Sequence, residues 1–536
     1  MKNKPYQLYA VNKFNNLKEL TSFCANLYKD RIAFQFYEHN DLVQINYQQF
    51  LMDINGLGTA LFNMGLHQAN VALISENSYL WIVSYFSVVN GGNCIVPLDP
   101  ELTEDSLEAL LANTKIRLII CSQKYLSKIE KIQVNADLLQ VLVIEKDLAP
   151  LILKGKKLID FGDHSFTDAV INNDSCCAII YTSGTTGRPK GVMLSHKNLT
   201  SDTAAALKNV FFAGSSILIL PLYHTFAFTA SVLCLLQSGK TISINRHLRY
   251  LKKDLSRYKP QNLIVVPLIL ETLYKQIWIK AKEEKKDKLL KILLIISRML
   301  LRLKIDIRKK AFKSVLNEFG GNLEFIITGG APVNNIYVQG FQDIGIQVLN
   351  GYGITECSPV VAVNRNQYFR CGSVGQVLDG VELKIDKGEI CVKSEMVMLG
   401  YYKEENSLID GWFLTGDLGY LDQDGFLYIT GRKKNVIILN NGKNISPEEL
   451  EEQFYNLDYV KEVVVFQRGE QIAAEVYLGD GGADLYALRL KNDLEIMNKQ
   501  LPIYKNINHI FIRDKEFEKT STKKIRRESV YAKSSV

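Results

Sequence analysis

Between Tyr181 and Gly191 the chain reads YTSGTTGRPKG. Three glycines, four Ser/Thr hydroxyls and one lysine stand within eleven positions. Glycine lets backbone N–H groups approach an anion closely, and the hydroxyls add further donors. Lys190 supplies a compact positive charge suited to phosphate. The spacing is not that of a P-loop: counted from Gly184, the required second glycine falls on Pro189. The loop is built for an anion, by means other than those of P-loop nucleotide hydrolases.

Such a loop needs a rigid support. It follows the apolar run CAIIYTS (177–183). Comparable runs recur at 70–76, 92–99, 116–122, 140–146, 262–268 and 323–329. They lack polar alternation, as strands buried on both faces do. Helical patterns lie between them, which predicts α/β architecture with largely parallel sheets. After about residue 371 glycine and turn residues become dense, and short antiparallel strands with Asp-Gly and Lys-Gly turns are expected. From 433 onward the pattern predicts a small α+β unit. It has a helix starting at Ser446-Pro447, a hairpin over 462–478, a helix near 484–499 and a strand at 509–514. The expected division is 1–432 and 433–536.

The 536 residues are 47% apolar and 23% charged. That excludes a disordered, collagen-like or polytopic membrane chain. Nine cysteines form no C-x-x-C pair, which suggests neither a disulfide framework nor a zinc site and points to a reducing compartment. The stretch from Ile217 to Leu236 is apolar, but Pro221, Tyr223 and His224 interrupt it, so a buried strand and turn are expected. The net charge of +7 is too mild to predict nucleic-acid binding. It is unevenly spread, however. Residues 280–313 carry 13 Lys/Arg and 4 Asp/Glu, a local +9, leaving −2 for the rest. At about 100° per residue, Lys288, Lys291, Arg298, Arg302 and Lys309 share an arc of about 80°. The remaining positions from Leu289 to Ile307 are mostly apolar. Two readings fit: a helix packed on the core with its charges solvated, or peripheral attachment to an anionic membrane surface.

Further motifs follow the loop in order: Thr328 to Pro332 (TGGAP), Gly351 to Glu356 (GYGITE), Gly411 to Asp417 (GWFLTGD), Ile429 to Arg432 (ITGR) and Thr520 to Arg526 (TSTKKIR). Together with TSGTTGRPKG they resemble the signature set of the adenylate-forming superfamily of AMP-dependent synthetases and ligases. SPVVAVNR after Glu356 and GRKKNVIILNNGKNISPEELE most resemble bacterial long-chain fatty acyl-CoA synthetases. The resemblance implies a large N-terminal domain of layered α/β subdomains with a β-rich part, followed by a small mobile α+β domain. It implies activation of a carboxylic acid by ATP as an acyl-adenylate, then transfer to a thiol, with Mg²⁺ assisting and CoA as acceptor.

The same resemblance implies roles residue by residue. Thr182, Ser183, Gly184, Thr185, Thr186, Gly187 and Lys190 would hold the β- and γ-phosphates. Glu356 would coordinate Mg²⁺, and Thr355 would bind the α-phosphate. Tyr352, flanked by Gly351 and Gly353, would lie along the adenine, with Gly329 and Gly330 allowing close approach. Asp417 would hold the ribose hydroxyls and Arg432 would assist. Lys524 would be the catalytic lysine, brought in by rotation about a hinge at Lys434. The turn at Gly442 and Lys443 would face the thiol. Two departures from the family pattern are Lys523, where glycine is common, and Glu518, where proline is expected.

His224 matches the family position beside the substrate carboxylate and the mouth of the acyl tunnel. No acidic residue lies between Pro221 and Cys234 to hold a substrate amine, which favours a plain carboxylic acid over an amino acid. The expected activity is a cytoplasmic ligase joining a medium- or long-chain fatty acid to CoA, with the inner membrane face as a place of contact. An acyl–acyl-carrier-protein ligase or an aryl-CoA ligase is the alternative within the family. An idle nucleotide- or acyl-binding protein is the alternative outside enzymology.

Overall fold

Continuous Val/Ile/Leu runs become strands with no solvent-facing side. In the computed structural model, Asn70–Ile74 pairs in parallel with Cys94–Pro97 and Ile116–Cys121, and the latter with Gln140–Val143. Cys94–Pro97 is buried at every position and also lies parallel to Cys176–Thr182. Two further strands complete a sheet of seven. Lys190–Ser195 turns back antiparallel on Cys176–Thr182, and Gly400–Tyr401 adds antiparallel to its outer edge. The structure describes residues 7–132, 138, 140–182, 189–245, 247–405, 407–439, 443–519, 525–527 and 530.

A second sheet has nine strands. At its centre Asn262–Val265, Phe325–Thr328 and Gln347–Gly353 run parallel, and Val360–Val363 returns antiparallel. The apolar stretch from Ile217 resolves into the buried strand Ser216–Leu218, a turn at Pro221, and short helical segments from Thr225 to Gln237. Among the described residues no helix is long and apolar enough to cross a membrane.

Contacts divide the chain into two units. The first holds Met1–Glu382 and Lys393–Phe413, and contains both large sheets. The second holds Leu383–Val392 and Leu414–Val536. It contains a four-stranded sheet of Glu382–Asp386, Glu389–Lys393, Phe413–Leu421 and Leu427–Arg432. It also contains a three-stranded sheet of Glu462–Arg468, Gln471–Tyr477 and Ile507–Arg513. Helices Pro447–Tyr455 and Gly482–Gln500 cover the latter, burying Leu450, Phe454 and Leu490 against Val465 and Ala474. The fold is mixed α/β with a large N-terminal part and a C-terminal part.

Candidate active site

Two antiparallel strands flank the loop read from the sequence. Thr182 and Lys190 are direct partners across Cys176–Thr182 and Lys190–Ser195. Ser183, Gly184, Thr185, Thr186 and Gly187 lie outside the described residues. Lys190 is half-buried, and its ammonium is 2.8 Å from Glu404 Oε2 and 4.7 Å from the centre of the Tyr401 ring. Tyr401 in turn donates its hydroxyl to Glu356 Oε1 at 2.8 Å. The Glu356 carbonyl accepts from Met398 N at 2.8 Å. Burial, then the charges of Glu356 and Glu404, hold the Tyr401 phenol protonated well beyond its usual range. One tyrosine thus links Lys190 to Glu356, the residue expected to hold the metal.

Glu356 and Thr355 form a short helical turn after Gln347–Gly353. That strand is pressed closely onto its neighbours. A Cβ at Gly353 would lie 2.1 Å from the Pro359 carbonyl oxygen, so no side chain fits there. Gly330 adopts φ +82°, a backbone region that glycine enters without penalty. A Cβ at Gly329 would lie 3.2 Å from the Gly351 carbonyl, so these two glycines are neighbours across the parallel strands.

Gly329, Gly330, Gly351, Tyr352 and Gly353 form one wall of a cavity. Its other walls are apolar: Ala206, Val210, Phe212, Phe226, Ala230, Cys234, Ile327, Pro359, Val360 and Val363. His224 caps the helix Thr225–Phe228 two residues before Phe226, its ring centre 4.4 Å from that of Tyr223. One turn before Ala206, Asp202 is fully buried and accepts from Val360 N at 3.1 Å. Burial pushes its carboxyl far above the ordinary range, against the pull of that N–H. Asp202 thereby pins the start of a strand that lines the cavity.

The second unit holds its own cluster. Asp417 and Arg432 are cross-strand partners, with Arg432 Nε 2.8 Å from Asp417 Oδ1. Asp417 is buried and Arg432 half-exposed. Beside them Glu389, also buried, accepts from Gly416 N at 3.1 Å and from Lys433 Nζ at 2.6 Å. Lys434 lies in the short turn Lys433–Asn435. Lys443 places its ammonium 3.8 Å from the centre of the Tyr504 ring. Gly442 and Lys524 lie outside the described residues. The positions flanking Lys524 are anchored: Lys519 and Ile525 form an antiparallel bridge, and Arg526 N donates to Glu518 O at 2.7 Å. Lys519 is ion-paired to Glu462, and Arg527 to the buried Glu451.

Lys190, Thr182 and Glu356 are therefore brought together in the first unit, with the glycines lining one cavity and His224 two residues before the lining residue Phe226. Asp417 and Arg432 are brought together in the second. Sequence reasoning missed Tyr401 and Glu404, which sit in GYYKEE, a string with no distinctive spacing. It also missed Asp202 and the cavity walls at Ala206, Val210 and Ala230, which are ordinary helix residues until folded. Among the described residues, no group of three or more His, Cys, Asp or Glu gathers to hold a metal ion.

Residues 23–402 match the family model described as AMP-binding enzyme, and 434–535 match the AMP-binding enzyme C-terminal domain. The long-chain-fatty-acid–CoA ligase of Bacillus subtilis (strain 168) is 28% identical over 536 residues, covering 89% of this chain and 88% of its own. The long-chain-fatty-acid–CoA ligase FadD15 of Mycobacterium bovis is 26% identical over 440 residues, covering 77% and 73%. The crystal structure of the anthranilate CoA ligase AuaEII in complex with anthranoyl-AMP superposes with a TM-score of 0.77 at 19% identity, covering 97% of each chain, and so shares the fold. A model that takes in most of the sequence, on a fold that gathers Lys190 with the acidic residue of GYGITE, settles the matter of kinship: this chain belongs to the AMP-binding enzyme family.

Proposed function

We propose that this protein is an AMP-forming acid–thiol ligase that activates a medium- or long-chain fatty acid and transfers it to CoA. The observation that carries the acid class is the cavity: one wall is the Gly351–Gly353 strand expected along the nucleotide, and the others are hydrocarbon. An alkyl chain suits such walls, because burying it removes apolar area from water. An amine or a second carboxylate would be left unpaired there.

A carboxylate is a poor acyl donor, since its leaving group would be oxide. Attack of its oxygen on the α-phosphorus of ATP forms an acyl-adenylate and expels pyrophosphate. Attack of a thiol on the acyl carbon then expels AMP. Both steps build negative charge on phosphate oxygens in a site that must exclude water. Lys190 and the Thr182–Gly187 loop would hold the departing pyrophosphate, and Thr355 the α-phosphate. Asp417, buried and paired to Arg432, would accept the ribose hydroxyls. His224 would orient the carboxylate at the cavity mouth. Lys524 would bridge carboxylate and α-phosphate oxygens, carried on a 433–536 domain that pivots at Lys434 and then offers Gly442 and Lys443 to CoA.

Glu356 would be the carboxylate that holds a metal. That suits Mg²⁺, which is commonly held by one or two protein carboxylates plus substrate phosphates. The ion would neutralise phosphate charge there. The nine cysteines carry no disulfide, in keeping with work in the cytoplasm.

The deciding experiment is a panel of carboxylic acids with ATP, Mg²⁺ and CoA, scored by AMP and pyrophosphate release. Saturated acids of medium to long chain should lead. Preference for acetate or benzoate would overturn the fatty-acid assignment, and no acid-dependent pyrophosphate release would overturn the ligase assignment.

A further inference from the structure

The basic segment folds chiefly as the helix Asp287–Arg302. Its inner arc is settled by packing. Leu290, Leu294 and Ser297 are buried, and Leu290 and Leu294 join the core that includes Val338 and Phe341 of the helix Asn335–Asp343. Arg298 is ion-paired to the buried Asp343 of that same helix, which fixes the roll of Asp287–Arg302 about its axis. With the roll fixed, the opposite arc is turned to solvent, and it is not polar. Leu289, Ile292, Ile295, Ile296 and Met299 are 53, 53, 57, 42 and 61% exposed. Leu303 and Ile305 continue the apolar surface past the helix end, at 69 and 50%. Single exposed hydrophobes are ordinary; a contiguous row on one arc marks an interaction surface.

We infer that this arc is a membrane-docking face whose partner is an anionic lipid surface. The charges choose the partner. Lys288 stands within the greasy arc, and Lys291 and Arg302 line one edge of it, all exposed. The segment 280–313 carries +9 while the remainder of the chain sums to −2. A second copy of the chain docked face to face would oppose two such segments across a low-dielectric contact. An anionic bilayer instead accepts the side chains of the arc at the headgroup–acyl boundary and meets the lysines with phosphate. The buried arc leads to the helix Asn335–Asp343, which begins a few residues after Gly329–Gly330 of the cavity wall. The docking face and the cavity thus share one support. What the surface would supply, a long-chain acid dissolved in the bilayer, rests on the ligase reading; the docking itself does not.

The test is co-sedimentation of the full chain with vesicles of phosphatidylcholine alone and of phosphatidylcholine mixed with phosphatidylglycerol. Binding is expected to the mixed vesicles only and to weaken with salt. The triple variant Ile292→Ser, Ile295→Ser, Met299→Ser should lose it. Lys288→Gln with Lys291→Gln should weaken it by about fivefold per charge removed. Both variants change exposed positions and should keep wild-type AMP release with a water-soluble medium-chain acid in lipid-free buffer. No binding by wild type, equal binding to both vesicle types, or concentration-dependent dimers abolished by the serine substitutions would overturn the proposal. Failure of AMP release in lipid-free buffer would sink the ligase reading and leave vesicle binding standing.

Discussion

Lys190 and Glu404 form an ion pair at 2.8 Å although 214 positions separate them. The pair exists because Gly400–Tyr401 adds to the edge strand that begins with Lys190. Half-exposed, it contributes little to stability, on the order of 0–1 kcal/mol. Under the proposed role of Lys190, Glu404 would position the lysine without competing strongly with a triphosphate. Lys190→Ala should lower acid-dependent ATP–pyrophosphate exchange by about 10²–10³-fold, as losing one aimed charge-stabilising group does. Glu404→Gln should change the KM for ATP by no more than about fivefold. A collapse of activity in Glu404→Gln comparable to that of Lys190→Ala would refute this division of roles.

Tyr401 donates to Glu356, and a hydrogen bond to a charged group contributes about 1.5–3 kcal/mol. Tyr401→Phe should reduce kcat/KM for ATP by about tenfold or more, even at saturating Mg²⁺. Because burial and the two nearby carboxylates keep the phenol protonated, wild type should show no alkaline break near pH 10 that disappears in Tyr401→Phe. A pH–rate profile of both proteins checks this.

His196 is buried, accepts Leu17 N–H on Nδ1 at 3.4 Å, and has its pKa lowered by burial to about 4. The unfolded chain, with a histidine near 6.5, binds the proton first. Stability from the neutral ring is present above pH 6.5 and is lost as pH falls toward 4. The loss is about 3 kcal/mol at most. Asp202 and Glu451, whose pKa values burial raises, act in the opposite direction. The comparison with His196→Asn isolates the histidine: urea midpoints from pH 7.5 to 4.5 should fall less steeply in the variant. Parallel slopes would exclude the assignment.

Ala230 lies on the apolar wall with little exposure. Ala230→Phe should occupy the cavity and shift preference toward shorter acids, by about tenfold in the ratio of kcat/KM values. A thermal melt separates this from misfolding, since overpacking costs roughly 1–3 kcal/mol. An unchanged chain-length profile in a folded variant would show that the acid binds elsewhere.

Lys524→Ala should abolish formation of acyl-AMP while leaving thioester formation from presynthesised acyl-AMP largely intact. Single-turnover assays of each half-reaction decide this. Equal loss in both would contradict a domain that pivots between them.

The strands were legible because burial on both faces leaves a largely apolar run: 116–122, broken only by Arg117 before its end, became Ile116–Cys121, and 323–329 became Phe325–Thr328. The signature residues were legible because glycine, hydroxyl and lysine in fixed order leave few alternatives. The partners of those residues were not. Tyr401 meets Glu356 and Lys190 only through an edge strand of two residues, too short to carry a period. The orientation of Asp287–Arg302 was hidden for a related reason. Its periodicity shows a cationic stripe and a greasy side, but which part of the greasy side faces inward depends on Asp343 and Phe341, distant in sequence. Glu389–Lys393 likewise reads as a local hairpin strand, yet residues 389–392 group by contact with those from Leu414 onward.

Gly353 admits no side chain against the Pro359 carbonyl, while Ala206, Val210 and Ala230, which line the same cavity, are small and varied in shape. The glycine strand is closed to mutational drift, and the helix positions that line the same cavity are open to it. Descendants of this gene could therefore exchange one acid for another through single steps at the permissive walls, inheriting the energy-coupling machinery untouched. Diversification of acid choice within such a lineage needs no reinvention of its chemistry.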